Sequence, residues 1–413
     1  MNVQPFVRAL KLAGVLLTLC ALPALAQEAS DRVAPEAAGG GAAKDRVTSR
    51  DFMVVSAHPL ASEAGRTMLE KGGNAVDAMV AVQAVLGLVE PQSSGLGGGA
   101  FLVHWDEARQ KLTTLDGRET APAAATPDLF LDQNGEPLRF FDAVIGGRSV
   151  GTPGTVALLE AAHQRHGKLA WAELFMPAIA LAEDGFPVSP RLNALIAHSA
   201  ESLFRYEATR RYFLSEEGVP LPPGTILRNA AYASTLRDIA ANGAKAFYEG
   251  EIARDIVAAV REAEDNPGLL SEQDLASYRV LERAPVCVTY RVYEVCGMGP
   301  PSSGALTIGQ ILKLVEPHDL AGLGPDNPQS WRLIGDASRL AFADRDLYMA
   351  DSDFVDMPKG LLNATYLAER ARLLEGDRAL EPEAVKPGSP PTDHAGLFAP
   401  GATPELPSTS HFS

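Results

Sequence analysis

The chain has 413 residues and a formal net charge of −16, with 46% hydrophobic and 21% charged residues. That composition excludes disorder for the bulk of the chain and suits one large or two ordinary globular domains. The acidic balance argues against nucleic acid as a partner, because phosphate binding needs basic surface, and three cysteines are too few for a disulfide scaffold.

In chain order, Arg8 and Lys11 precede an apolar run over residues 12–22, and Ala24-Leu25-Ala26 places small residues before Gln27. Residues 1–26 therefore read as a cleaved Sec-type signal peptide, with the mature protein periplasmic or secreted. The apolar run falls short of the roughly 20 residues that a membrane span needs. Cys20 lacks the small residue that a lipoprotein site would want before it, since Leu19 stands there. No later run is apolar enough to expect membrane insertion of the mature chain. Residues 27–50 are Ala/Gly-rich and read as a flexible leader.

Helical spacing is predicted over residues 62–88, interrupted by Lys71-Gly72-Gly73-Asn74, with Asn74 as a cap for the second helix. Strands are predicted over residues 100–105 and 111–116, and helices dominate residues 155–278. A hairpin is predicted around residues 286–296, where a turn at Arg291-Val292 sets Cys287 opposite Cys296. An oxidising compartment would permit a bridge there, and two buried thiols are the alternative. Residues 306–315 and 327–348 are again helical. The Pro/Gly-rich residues 381–408 read as an exposed linker. Strands at both ends of a helical middle point to α+β, not a doubly wound sheet.

Two literal motif matches lead elsewhere and fail on context. Gly95-Leu96-Gly97-Gly98-Gly99-Ala100 fits G-x-G-x-x-A, but a helix precedes it and a strand follows, the reverse of a dinucleotide fold. Close backbone packing or a substrate-lining loop is the reading left. Gly147-Arg148-Ser149-Val150-Gly151 fits the α/β-hydrolase elbow, which makes Ser149 a candidate nucleophile from a different enzyme class. Yet Pro153-Gly154 intervene before any helix, and a glycine turn feeding a helix is the plainer reading. His163-Gln164-Arg165-His166 is read as a solvated helix face, and Glu262-Ala263-Glu264-Asp265 and Asp351-Ser352-Asp353 as surface acidic runs. No metal and no cofactor is expected.

The most informative residues are Ser408-Thr409-Ser410-His411-Phe412-Ser413, taken together with several runs upstream. These are Lys71-Gly72-Gly73-Asn74-Ala75-Val76-Asp77-Ala78, Pro91-Gln92-Ser93-Ser94-Gly95-Leu96-Gly97-Gly98-Gly99 and Asp116-Gly117-Arg118-Glu119-Thr120-Ala121-Pro122. Further runs are Gly151-Thr152-Pro153-Gly154-Thr155-Val156, Leu181-Ala182-Glu183-Asp184-Gly185-Phe186 and Pro300-Pro301-Ser302-Ser303-Gly304. In this order and combination the chain resembles the γ-glutamyltransferase (γ-glutamyl transpeptidase, glutathione hydrolase) family, from about Ser56 to Ser413.

The resemblance implies an N-terminal-nucleophile hydrolase of αββα type, made as a zymogen that cuts itself between Ser408 and Thr409. Thr409 would then be the catalytic nucleophile, its own freed α-amine acting as base. Arg118 matches the arginine that clamps the donor's α-carboxylate, and Glu119 would orient it. Implied donors are glutathione and other γ-glutamyl compounds, and acceptors are amino acids, peptides or water. A cephalosporin (glutaryl) acylase is the alternative within the fold, and a surface ion pair is the alternative for Arg118. Residues 51–380 would form the large-subunit region, and residues 409–413 the start of a small subunit. The sequence ends four residues after Thr409, whereas the family continues for a whole small subunit. It therefore resembles a truncated proenzyme or fragment, for which neither self-processing nor γ-glutamyl hydrolysis is expected, with Thr409 on an unheld tail.

Overall fold

The computed structural model describes residues 46–392 and 409–413. The expected signal peptide (1–26), leader residues 27–45, linker residues 393–408 and, with them, Ser408 of the expected cleavage site lie outside the described residues.

Helices α1 (Pro59–Glu70) and α2 (Ala75–Val89) pack against each other at the centre of the main core. Asn74 starts α2 with a capping box: its side-chain oxygen accepts from the N–H groups of Val76 and Asp77, and the Asp77 carboxylate accepts from Asn74 N–H at 2.8 Å. Almost every side chain of α2 is buried, as expected of a helix that is apolar on all faces. Asp77 also accepts from the backbone N–H of Lys168 at 3.0 Å, so one buried carboxylate joins the helix start to a loop 91 residues away.

Strands β1 (Ala100–Asp106) and β2 (Lys111–Gly117) form an antiparallel pair in which Ala100 faces Gly117. A third strand, β3 (Leu281–Arg283), joins the free edge of β2 with Leu281 opposite Asp116 and Arg283 opposite Thr114. Helix α3 (Thr155–His166) lies on one face of this sheet, and α4 (Met176–Asp184) and α5 (Ala230–Asn242) close the core around α2. The architecture is α+β.

Strands β4 (Val286–Tyr290) and β5 (Tyr293–Gly297) make a separate hairpin with Cys287 opposite Cys296. Their Cα atoms are 4.1 Å apart and their sulfurs are bonded to each other. Arg291 supplies the turn with a left-handed φ of 56°, which lets two non-glycine residues reverse the chain. Helices α6 (Gly304–Val315), α7 (Pro328–Tyr348) and α8 (Ala364–Ala371) enclose a second, smaller core of Leu314, Leu333, Leu340 and Leu374. Among the described residues, no helix is long and apolar enough to cross a membrane.

Residues 381–392, the described part of the expected linker, are mostly exposed, but with Leu380 they are tied to the second lobe at several points. Leu380 N–H donates to Asp336 at 3.0 Å, Gly388 N–H donates to Asp344 at 2.8 Å, and Gly360 N–H donates to Pro391 O at 3.1 Å. Asp336 and Asp344 are buried on α7 and need donors, and the backbone of this segment supplies them. Asp344 is the more enclosed. It also accepts from Gln310 and the Tyr366 hydroxyl and pairs with Arg370 at 3.1 Å. Asp344→Ala leaves the Arg370 charge buried and unpaired, so the expected loss is about 3–5 kcal/mol, read from the shift of the urea unfolding midpoint.

Candidate functional site

Arg118 follows β2 directly, and its peptide unit is held from both sides. The buried Asp116 carboxylate accepts from Arg118 N–H at 2.8 Å, and the Tyr278 hydroxyl donates to Arg118 O at 2.7 Å. Burial, with Asp116 and Glu119 nearby, raises the Tyr278 pKa, so the phenol stays protonated and remains a donor. Two residues on, Thr120 and Thr152 exchange backbone hydrogen bonds of 3.3 and 2.8 Å.

The Arg118 side chain, by contrast, is open. It is 56% exposed, and its one ion pair among the described residues is a 3.4 Å approach to Glu119. An exposed pair of that length contributes little to stability. The guanidinium therefore keeps a planar fork of donors for a carboxylate from outside. Arg118 is thus paired with Glu119 and is also accessible.

Glu119 lies over the Gly-rich loop. One of its carboxylate oxygens is buried with no hydrogen-bond partner among the described residues. Gly99 allows this placement, because a Cβ there would stand 2.4 Å from that oxygen and 2.8 Å from the Glu119 backbone nitrogen. The N–H groups of Gly154 and Thr155 donate to Gly98 O at 2.9 and 3.1 Å, which docks the loop before α3 onto the same floor. A Cβ on Gly154 would lie 2.1 Å from both Gly117 O and the Tyr278 hydroxyl. Gly99, Gly151 and Gly154 thus serve close backbone approach, one of the two readings that the reversed context left, whereas Gly95 and Gly97 do not.

Thr409 is exposed at the start of a short segment that is firmly placed. Ser413 and Val55 exchange two backbone hydrogen bonds, 2.6 and 2.9 Å, and the Phe412 ring packs against the main core. Phe412 and Ser413 are therefore anchored by an aromatic side chain and a strand-like pair, which corrects the expectation of an unheld tail at these two residues, while Thr409 itself stays exposed. No hydrogen bond joins Thr409 to Arg118 among the described residues. Ser410 Oγ is buried without a partner among them.

The remaining candidates separate from this site. Ser149 lies in a turn, six residues before α3, and its hydroxyl donates to Val144 O at 3.0 Å. The element directly before it is a short helix, Phe140–Val144, and not a strand, so the hydrolase elbow is not formed. His163 is not on a solvated face: its Nε2 lies 2.9 Å from Leu169 O and 3.6 Å from Asp77, and His166 stacks on His104 at 4.3 Å. Cys287, Glu294 and Cys296 are the one grouping of possible metal ligands among the described residues. Its two sulfurs are bonded to each other and offer no thiolate.

Tyr278, Arg283 and Asp353 were not identified from sequence as parts of this site. Arg283 Nε donates to Asp116 at 2.6 Å, and its two terminal nitrogens donate to Asp353 at 2.9 and 2.6 Å. Asp353, in a run read as surface acid, is a buttress of the Asp116–Arg118 turn. No local pattern announces a tyrosine 160 residues, or an arginine 167 residues, from its partner.

A family model described as gamma-glutamyltranspeptidase matches residues 61–413. A glutathione hydrolase proenzyme of Bacillus subtilis is 39% identical over 80% of this chain and 55% of its own length. The acylase ACY 1 proenzyme of Pseudomonas sp. strain V22 is 38% identical over 81% of this chain and 60% of its own length. Among solved structures, the gamma-glutamyltranspeptidase of Helicobacter pylori is similar with a TM-score of 0.79 and 35% identity, covering 85% of this chain and 99% of that one. The chain spans somewhat over half the length of the curated relatives it matches.

The glycine floor is open to a direct check. Gly99→Ala forces a Cβ onto the Glu119 backbone and carboxylate, at an expected cost of about 1–3 kcal/mol. Gly97→Ala meets nothing within 4 Å and is expected to stay within about 0.5 kcal/mol. Thermal melts of the two variants give the comparison.

Proposed function

The chain belongs to the γ-glutamyltranspeptidase family, and on that premise we propose that it serves in the transfer and hydrolysis of γ-glutamyl groups from glutathione-like donors. The observation that carries this reading is Arg118, whose peptide is clamped by Asp116 and Tyr278 while its guanidinium is left open. A fixed fork of donors suits a donor's α-carboxylate. A glutaryl side chain carries a carboxylate at the same place and lacks only the α-amine, so Arg118 suits either donor, and it is the family to which the chain belongs that favours the amino-acid donor over the acylase alternative.

The chemistry begins with self-cleavage. Thr409 Oγ attacks the carbonyl carbon of Ser408, the peptide nitrogen of Thr409 takes a proton as the C–N bond breaks, and water then hydrolyses the resulting ester. The new α-amine, with an ordinary pKa near 7.7–8.0, is a usable base at neutral pH, which no amide nitrogen is. In turnover it takes the Thr409 hydroxyl proton as Oγ attacks the donor's γ-carbonyl, and returns a proton to the leaving amine. The γ-glutamyl ester is then resolved by water or by the amine of an amino acid or peptide. The reading needs no metal or cofactor. It includes a partner, the small subunit that begins at Thr409, and an exported, oxidising location in keeping with the Cys287–Cys296 bridge.

The deciding experiment uses a complete proenzyme carrying this sequence together with a small subunit. Turnover of a γ-glutamyl anilide is expected to exceed that of the matching glutaryl anilide, and the reverse preference would overturn the proposal. Thr409→Ala is expected to leave one uncut polypeptide by intact-mass spectrometry. Arg118→Ala is expected to raise KM for the γ-glutamyl anilide, with a loss of about 1.5–3 kcal/mol in kcat/KM. Unchanged kinetics would make Arg118 a surface ion-pair residue.

A further inference from the structure

We infer that Arg283 and Asp353 are positioning residues for the donor site, acting on Arg118 through Asp116. The inference rests on the reading of Arg118 as the clamp for the donor's α-carboxylate. Its basis is an unbroken chain of hydrogen bonds. Asp353 accepts from both terminal nitrogens of Arg283, at 2.9 and 2.6 Å. The remaining Arg283 nitrogen, Nε, donates to one Asp116 oxygen at 2.6 Å, and the other Asp116 oxygen accepts from Arg118 N–H at 2.8 Å.

Each link has one feature that makes it directional. Asp116 is buried and divides its two oxygens between Arg283 and the Arg118 peptide, so its rotamer sets where that peptide sits. Arg283 is only 16% exposed, and its backbone carbonyl accepts from the Thr114 hydroxyl, so it cannot swing away from the sheet. The planar guanidinium then fixes the Asp116 carboxylate only if its own plane is fixed, and the two-pronged contact with Asp353 does that. Asp353 comes from the turn after α7, in the lobe of the second core. That turn is closed by Asp351, whose side chain accepts from Asp353 N–H at 2.9 Å and whose carbonyl accepts from the N–H groups of Phe354 and Val355. The second lobe thus reaches across to the turn that carries Arg118.

A role confined to stability would make a different pattern. Arg283 and Asp353 would then only staple β3 and the α7 turn to the sheet, and losing them would reduce the active fraction whatever Arg118 does. Positioning predicts an effect on donor binding that depends on Arg118 being present.

The test is a double-mutant cycle in the complete, processed enzyme with a γ-glutamyl anilide. Asp353→Ala is expected to raise KM about 3- to 30-fold with kcat within about twofold, and to change kcat/KM by less than about twofold once Arg118 is already Ala. Asp353→Asn, which keeps the shape of a half-exposed side chain and one acceptor, is expected to lie between wild type and Asp353→Ala, and it serves if the alanine variant fails to fold. An Asp353 effect that falls on kcat, or that persists undiminished without Arg118, overturns the inference. So does an unchanged KM in the Asp353 variants when Arg118→Ala raises it. An unchanged KM in Arg118→Ala itself would sink the carboxylate reading, and this inference with it.

Discussion

A buried carboxylate has to be paired, and Asp116 is paired twice. At the end of β2 it accepts from the Arg283 guanidinium with one oxygen and from the Arg118 backbone with the other. Stranding that charge would cost several kcal/mol, so the turn, the edge strand β3 and the conformation at Arg118 stand or fall together. Tyr278 completes the grip from the other side of the same peptide. The result is a residue whose main chain is immobilised by buried groups while its charged tip stays exposed, open to a donor's carboxylate under the proposed reading. Preorganisation of this kind reduces the ordering cost at binding.

The glycines are the second constraint. Gly98, Gly99, Gly117 and Gly154 lie within backbone contact of one another or of Glu119, and side chains at Gly99 and Gly154 would collide with fixed atoms. Their absence of Cβ brings three loops to one floor beside Arg118. Gly95 and Gly97, with Ala100, fit a nucleotide-binding pattern on paper, but the order helix, loop, strand is the reverse of what that pattern needs, and the loop's backbone has other work. Gly98, for example, contributes its carbonyl as the acceptor for Gly154 and Thr155.

The ends of the described chain are held with equal care. Residues 380–391 are latched to α7 and to Gly360 by backbone donors meeting buried carboxylates and a carbonyl. At the other end, Phe412 packs against the main core and Ser413 exchanges backbone bonds with Val55. Under the proposed chemistry, the nucleophile therefore sits in a segment whose far end is docked on the same core that carries α1 and α2.

Local signals in the sequence determined a good deal. Apolar spacing marked α1, α2, α6 and α7, Asn74 announced the capping box, and β-branched and aromatic residues marked the hairpin, whose pairing of Cys287 with Cys296 depended on a turn at Arg291-Val292. The motifs around Arg118 and Thr409 carried the family resemblance, because the chemistry needs those residue types in those short contexts. The tertiary structure alone decided the rest. Strand β3 is three residues long and too short to show a period. Tyr278, Arg283 and Asp353 find their partners across separations of 70 to 167 residues. Residues 380–391 have the composition of an exposed linker, yet buried acids on α7 bind them. Periodicity and capping act within one or two turns of chain and can be read residue by residue. The pairing of a buried charge is settled only when packing removes the water that would otherwise have solvated it.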